Sequence, residues 1–433
     1  MPTLVKSSAW VVSAGVVARW LGGRDRLDRL MEGLPASLSG QERAACQRLV
    51  YGVVRHAGRL RAAVDRLVPH PPRFQARAAI FLAGFELIED GLRPGGPGTR
   101  AKIVHHAVER TKALASAAEA RLVNAVVRQL ASILPDQAPP PLDAPLGAVA
   151  EFTSHPEWLV RRWTERFGAP TARSLLEWNQ RPAPLHARLR SGPAAPWLRP
   201  TPWPGFFEVA PGHWAEVDQA LRSGRIYLQD PSTRIPAELL APGFGESVLD
   251  LAAAPGGKSL LLADAMASRS RAGDPEGLLV ALDLPGPRIR RLEENLSRAS
   301  GVRVAVVAAA VEKAGPALAS RGLPSTYDAV LLDAPCTNTG VMRHRVDVKW
   351  RLQEGDFGRH AAQQRALLEA AARLVSPGGR LVYSTCSLDS EENEAVVEAF
   401  LAGSQGAFRE ERRILSRPWE AGHDGGGAFL LRH

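Results

Sequence analysis

A chain of 433 residues, 45% hydrophobic and 23% charged, is globular, and its length suits two or three domains. It has no apolar run long enough to span a bilayer and no signal-peptide pattern at its start, where Trp20 to Arg29 turns charged. Its three cysteines, Cys46, Cys336 and Cys386, form no CxxC pair, which argues against a disulfide framework and a structural zinc site and fits a reducing cytoplasm. The net charge of +9 is uneven: residues 1–130 hold 20 Lys and Arg against 10 Asp and Glu, and the rest hold 34 against 35. A basic front part beside a near-neutral remainder suggests a polyanionic partner such as RNA.

Apolar positions at helical spacing run over 4–31, from Leu4 to Leu30. Ser39 and Glu42 make a capping box for a helix over 41–56. Further helices are predicted over 57–68, 74–89, 100–113 and 117–132, separated by His70-Pro-Pro72 and Arg93-Pro-Gly-Gly-Pro-Gly98. No strand pattern precedes residue 135, so residues 1–134 read as an all-α domain. Residues 135–150 are a Pro-rich linker, extended in character. Residues 151–240 form an insert region. It holds helical segments over 155–180, short strands at 185–189, 206–209 and 225–228, and a helix near 233–241. From 241 to 433 strands and helices alternate, with strands over 247–251, 278–283, 302–307, 328–333 and 379–384. Two closing strands follow near 408–414 and 427–431. That alternation predicts an α/β domain built on a parallel sheet with helices on both faces.

Chemistry concentrates where these strands end. Val248-Leu-Asp-Leu-Ala-Ala-Ala-Pro-Gly-Gly-Lys258 reads as a buried strand, a Gly-Gly turn and a helix start. Gly256 and Gly257 allow close backbone approach, and the helix start offers free N–H groups. Two more apolar strands end in polar residues and a cysteine: Tyr327 to Cys336, and Arg380 to Cys386. In an open parallel sheet ligands bind beyond the carboxyl ends of the strands, so Asp250, Asp333, Cys336 and Cys386 should reach one rim. Asp283 ends the second strand, where an acidic residue binds ribose hydroxyls. NAD is one candidate. The turn lacks the Gly-x-Gly-x-x-Gly fingerprint, however, and an adenosyl cofactor without a pyrophosphate fits better.

Taken together, Ala254-Pro-Gly-Gly-Lys258, Asp333-Ala-Pro-Cys336 and Ser384-Thr-Cys-Ser387 with Glu391-Glu-Asn393 resemble the RNA cytosine-5 methyltransferase family. Leu49 to Arg55 and Leu122 to Arg128 resemble the NusB-like RNA-binding module that precedes the catalytic domain in its bacterial small-subunit ribosomal RNA group. Asn179 to Pro182, Leu228 to Pro231 and His423 to Gly425 match that group's insert and tail. The resemblance implies a Rossmann-type methyltransferase domain using S-adenosylmethionine, a cytoplasmic location, and a monomer acting on small-subunit ribosomal RNA. It implies a cofactor loop made of Ala252, Ala253, Ala254, Pro255, Gly256, Gly257 and Lys258, joined by Asp283 and Asp333.

The reaction needs covalent nucleophilic catalysis. Carbon 5 of cytosine is a poor nucleophile until a thiolate adds at carbon 6 and makes the ring an enamine. The resemblance implies Cys386 as that nucleophile, Asp333 as the group at ring nitrogen 3, and Cys336 as the assistant in proton removal and enzyme release. A free thiol ionises near pH ~8.5, so Cys386 needs help, for which Lys258 is a candidate. Four places depart from the family's usual pattern: Ala308-Ala-Ala310 lacks the acidic residue near the adenine, Thr337-Asn-Thr-Gly340 stands where Ser-Gly or Ser-Ala is commoner before Thr-Gly, Ala252 stands where Cys is frequent, and Gly425-Gly-Gly427 is a looser tail. Arg343-His-Arg345 and Lys349 read either as phosphate contacts or as a solvated loop. Cys46 reads as core. Competing readings are the same chemistry on transfer RNA, a non-catalytic RNA-binding ribosome-assembly factor, and an NAD-linked oxidoreductase disfavoured by the glycine pattern.

Overall fold

The computed structural model of the chain describes residues 9–23, 25–96, 98–268 and 276–433; Leu4, and Pro97 of the predicted turn, lie outside the described residues. The chain forms two compact units. The first runs through Pro182 and includes Met342–Arg351; the second comprises Ala183–Val341 and Leu352–His433. The division falls inside the stretch 151–240 that the sequence groups as one insert. Helices Leu146–Phe152, Glu157–Phe167 and Ala169–Gln180 belong to the first unit, and the short strands to the second. Helix Leu146–Phe152 lies within the Pro-rich linker, where no helix was expected; it starts directly after Pro145, and proline is compatible with a helix start.

The first unit is all-α among its described residues. Its centre is helix Phe74–Leu92, buried nearly all round, from Ala76 to Ile88. A helix of that composition can only be an interior element. It packs against helices Ala9–Gly22, Gly40–Arg55, Thr99–Lys112 and Ala117–Ile133. The apolar pattern predicted over 4–31 is carried, among the described residues, by two helices, because Gly22 and Gly23 end Ala9–Gly22 before Leu27–Glu32 begins. Gly52 lies against the Phe85 ring, and an added Cβ would come within 2.1 Å of it. Ser39 and Glu42 form the predicted capping box, and Ser116 with Glu119 forms a second. Each cap is worth about 1 kcal/mol. Cys46 is buried in this core, as read.

The segment Met342–Arg351 is anchored in the same unit. Val346 joins its hydrophobic core. Trp350 Nε1 donates to the Val54 carbonyl at 2.8 Å, and Lys349 Nζ to the Arg55 carbonyl at 2.9 Å. Lys349 is 2% exposed, so it is neither a phosphate contact nor a solvated side chain. Arg343 stacks its guanidinium 4.2 Å over the Trp178 ring and donates to the Pro182 carbonyl at 2.8 Å. Of the basic residues read in this loop, Arg345 is exposed, 3.5 Å from Asp28.

The second unit holds two sheets. The smaller has strands β1 (His186–Leu189), β2 (Leu198–Pro200), β3 (Phe206–Val209) and β4 (Ile226–Leu228), in antiparallel order β2-β3-β1-β4. Helix Trp214–Arg222 lies between β3 and β4 in the chain. Arg188 and Arg190 of β1 and its end both bind Asp264 of helix Gly257–Ser268, at 2.6 and 2.7 Å, tying this sheet to the larger one. The larger sheet has strands β5 (Ser247–Leu251), β6 (Leu278–Asp283), β7 (Arg303–Ala308), β8 (Tyr327–Asp333), β9 (Val375–Thr385), β10 (Arg409–Ser416) and β11 (Gly426–Arg432), in the order β10-β11-β9-β8-β5-β6-β7. The run from β9 to β7 is parallel, and β11 and β10 close the edge antiparallel. This is the largely parallel, Rossmann-like α/β sheet expected from the alternation. β6 is buried at every residue, as a central parallel strand must be. β9 begins at Val375, ahead of the predicted 379, because the ladder with β8 shifts register between Tyr327 and Ala329. Gly378, at φ 75, takes up the bulge.

Candidate active site

The register of the sheet puts the chemistry on one rim. Leu251 of β5 pairs with Leu282 of β6 and Leu332 of β8, so the residues after these strands emerge side by side. Asp333 of β8 pairs with Ser384 of β9, which places Cys336 and Cys386 just beyond adjacent strand ends. Their sulfurs are 3.1 Å apart although the residues are 50 positions apart in the chain. The Cys336 thiol is pushed well above the usual thiol range, first by its hydrogen bond to Cys386 and then by burial. It is therefore a thiol in the resting enzyme. Cys386 is partly exposed and also donates to Asn338 Oδ1 at 3.2 Å.

A second polar group stands on the same rim. Lys258, half-buried at the start of helix Gly257–Ser268, donates from Nζ to Asp333 Oδ2 at 2.7 Å. Burial alone would lower the Lys258 pKa, but the attraction and hydrogen bond of Asp333, with a smaller contribution from Cys386, outweigh it and the net shift is upward. Ser384 Oγ donates to the other oxygen of Asp333 at 2.8 Å. Asp333 is thus oriented from both sides, and Lys258 stays an ammonium.

The loops carrying the cysteines are held by buried polar contacts. Glu392 accepts from the Thr337 N–H at 2.9 Å and from the Thr337 hydroxyl. Gln364 bridges Glu392 to the Pro335 carbonyl. The Thr339 hydroxyl donates to Asp389 at 2.8 Å, and Gly340 N–H to the Cys386 carbonyl at 2.9 Å. Asn393 donates to the Ser387 and Asp389 carbonyls. The glycine tail is tight: a Cβ on Gly426 would lie 2.2 Å from the Thr385 carbonyl oxygen, and one on Gly427 2.4 Å from Asn393 Oδ1. Gly425-Gly-Gly427, expected to be loose, is close-packed, with Gly425 against the Leu388 and Pro418 side chains, Gly426 against the Thr385 backbone and Gly427 against the Asn393 side chain.

The loop between β5 and its helix is equally fixed. Ala252 sits at φ 59 and Gly256 at φ 103. Ala253 N–H donates to the Leu282 carbonyl at 3.0 Å, and Ala254 N–H to Asp283 Oδ2 at 2.8 Å. Asn295 Nδ2 donates to the Pro255 carbonyl at 2.7 Å. Tyr227 of β4 lies against Gly257, where an added Cβ would meet its ring at 3.0 Å. Asp283 also accepts from the Leu284 N–H and from Arg288.

The sequence profile of the 16S rRNA methyltransferase RsmB/F family matches residues 237–420, and that of the NusB family matches residues 23–132. The ribosomal RNA small subunit methyltransferase B of Sodalis glossinidius is 31% identical, over 94% of this chain and 92% of its own length. The chain belongs to the RsmB/F family. The Pasteurella multocida protein of the same name is 28% identical over 92% of this chain and 87% of its own. The crystal structure of PH0851 shares the fold over 98% of this chain and 99% of its own, with a TM-score of 0.75 at 22% identity.

This RsmB/F methyltransferase is accordingly an S-adenosylmethionine-dependent RNA cytosine-5 methyltransferase, preceded by a NusB-like domain. Its β5 loop fits an adenosyl cofactor. Asp250, at the end of β5, is fully buried, takes a hydrogen bond from the Ser259 hydroxyl on Oδ2, and has no partner for Oδ1 among the described residues. Burial pushes its carboxyl up to about 7. At the start of helix Gly257–Ser268 the Leu260 N–H donates to the Gly256 carbonyl at 2.9 Å, and helix geometry leaves the N–H groups of Gly257, Lys258 and Ser259 without an acceptor inside the helix. After β7 no carboxylate replaces the missing acid: Ala309 N–H donates to the Asp283 carbonyl at 2.9 Å, and Glu312 is exposed. Sequence reasoning left Ser384, Asn338 and Gln364 without a part. Ser384 carries a signal only through strand register, and Gln364 lies on a helix with no motif of its own.

Proposed function

We propose that this enzyme methylates carbon 5 of a cytosine in small-subunit ribosomal RNA through a covalent bond between Cys386 and carbon 6 of the base. The pair of sulfurs 3.1 Å apart, delivered by neighbouring strands, carries the reading. A single cysteine could be core; two meeting at a strand-end rim beside an oriented ion pair suit nucleophile and partner. Lys258 supplies positive charge near Cys386. The thiolate adds to carbon 6, and the electron pair of the broken ring double bond moves toward carbon 5 and nitrogen 3. Lys258 and Asp333 are read as the pair that lends a proton to nitrogen 3 as the thiolate adds and takes it back when the thiolate leaves.

S-adenosylmethionine supplies an electrophilic methyl group for carbon 5. Ala252, Ala253, Ala254, Pro255, Gly256, Gly257 and Lys258 line its proposed site, with Asp283 for the ribose hydroxyls and Asp333 at its edge. Cys336 is read as the base for the carbon-5 proton. Once Cys386 is bonded to carbon, the hydrogen bond that most raises the Cys336 thiol is gone, and its proton is easier to lose. Elimination of Cys386 restores the ring double bond and returns a thiolate, and one proton leaves to solvent. The reading carries with it a monomer working in the cytoplasm. It is supported by the name of the enzyme's relatives, ribosomal RNA small subunit methyltransferase B, and by the basic helical domain.

Bisulfite sequencing of total RNA from cells with and without this gene tests it. One methylcytosine lost from small-subunit ribosomal RNA is expected. A site lost from transfer RNA instead would keep the chemistry and overturn the substrate, and no lost site would overturn both.

A further inference from the structure

Asn338 stands between the two cysteine loops and has no part in the chemistry so far. It sits at φ 63, a left-handed conformation that asparagine tolerates better than most residues. Its Nδ2 donates to the Cys336 carbonyl at 2.6 Å. A carbonyl can only accept, so this contact orients the amide and turns Oδ1 toward Cys386 Sγ, 3.2 Å away. The nucleophile therefore has an acceptor on one side, Asn338, and the Cys336 sulfur at 3.1 Å on the other. A carbonyl-type oxygen stabilises S–H and not the thiolate, whereas the Cys336 S–H can stabilise the thiolate. Thr337 and Thr339 are buried and tied down on either side, while Asn338 is partly exposed. Its side chain can thus turn outward without moving the loop.

We infer that Asn338 is a positioning residue that holds the resting Cys386 as a thiol, its S–H aimed at the amide oxygen, and that attack requires this hydrogen bond to open. The inference rests on the reading of Cys386 as nucleophile. Opening leaves the Cys336 S–H as the remaining partner of the sulfur, which is the arrangement a thiolate needs. Asn338 is in this sense a safety catch on the thiol in the absence of RNA.

The test is alkylation of Cys386 by iodoacetamide in the full-length enzyme without RNA or cofactor, followed by peptide mass spectrometry. The ratio of the rate at pH 7 to the plateau rate in alkali separates ionisation from simple access. Asn338→Gly keeps the left-handed backbone and removes the acceptor, and its ratio should rise about fivefold, the worth of one ordinary hydrogen bond. Asn338→Asp sets a negative acceptor beside the thiol, and its ratio should fall. A Gly ratio that is unchanged or lower, or two variants that shift the same way as a loosened loop would, overturns the inference. RNA carrying 5-azacytosine, which traps the covalent adduct, is tested in parallel. An adduct mapped to Cys336 would overturn the nucleophile reading while leaving the alkylation result to stand by itself.

Discussion

At the scale of single residues, the proposed mechanism divides the chemistry between a partly exposed sulfur, Cys386, and a buried one, Cys336. Cys386→Ala should abolish methylation and form no covalent RNA adduct. Cys336→Ala should lose about 10²- to 10⁴-fold in turnover, the usual worth of a general base, and should accumulate an adduct that survives a denaturing gel. Denaturing electrophoresis with labelled RNA reads both, and an adduct in the Cys386 variant would reverse the assignment. Asp250 makes a separate prediction. Its folded carboxyl titrates about 7, above the unfolded value of 3.8, because it is buried. Between those values the folded protein holds a proton that the unfolded chain releases, so stability falls as pH rises through the window. Asp250→Asn cannot ionise, and its melting temperature should decline less between pH 4.5 and about 7. Parallel melting curves with equal slopes would refute this.

At the scale of elements, the glycines at the start of β11 brace the loops that carry the cysteines. Gly426→Ala would drive a Cβ against the Thr385 carbonyl, one residue before Cys386. A shift of backbone against backbone should cost about 3 kcal/mol and most of the activity, read by thermal melts and methyl transfer. Neutral melting behaviour would mean the tail yields more easily than its packing implies. The short helix Val348–Arg351 carries another test. Burial, and then repulsion from Arg55, hold the Lys349 amine well below its usual range. The unfolded chain binds a proton that the folded one does not, so stability rises with pH toward the lysine's ordinary value. Lys349→Met keeps the volume without that cost. It should raise the melting temperature at neutral pH, with a gain that shrinks as the solution becomes alkaline. A loss at every pH would show that the bond to the Arg55 carbonyl outweighs the burial cost.

At the scale of the whole molecule, the charge is uneven, and the proposed reading assigns RNA recognition to the basic helical unit. The front residues hold the positive excess, and Lys102, Arg121 and Arg128 are exposed on the helical unit. Reversing all three to Glu should weaken RNA binding. The slope of log affinity against log salt should flatten by about 0.7 to 0.9 for each phosphate no longer neutralised. Fluorescence titration over a salt series measures it, and an unchanged slope would move the RNA footprint elsewhere. Removing residues 1–134 would be a poorer test, because Val346 and Trp350 pack into that unit and would be left without partners.

Most of the elements were legible in the sequence because each is set by neighbours: the apolar runs of β5, β6 and β8, the Ser39 capping box, the glycines after β5. Strand ends followed, and with them the placement of Asp333, Cys336 and Cys386 on one rim, since a parallel sheet presents its carboxyl ends together; Asp250, expected beside them, is fully buried within β5. What remained depends on residues far apart in the chain. The Ser384 contact with Asp333 follows from the register of β8 with β9. The tight glycine tail, the Asn338 amide facing Cys386 and the burial of Lys349 at the Arg55 carbonyl have no local signature. Periodicity says which side of an element is apolar, and only tertiary packing decides what that side, or a polar atom beside it, will meet.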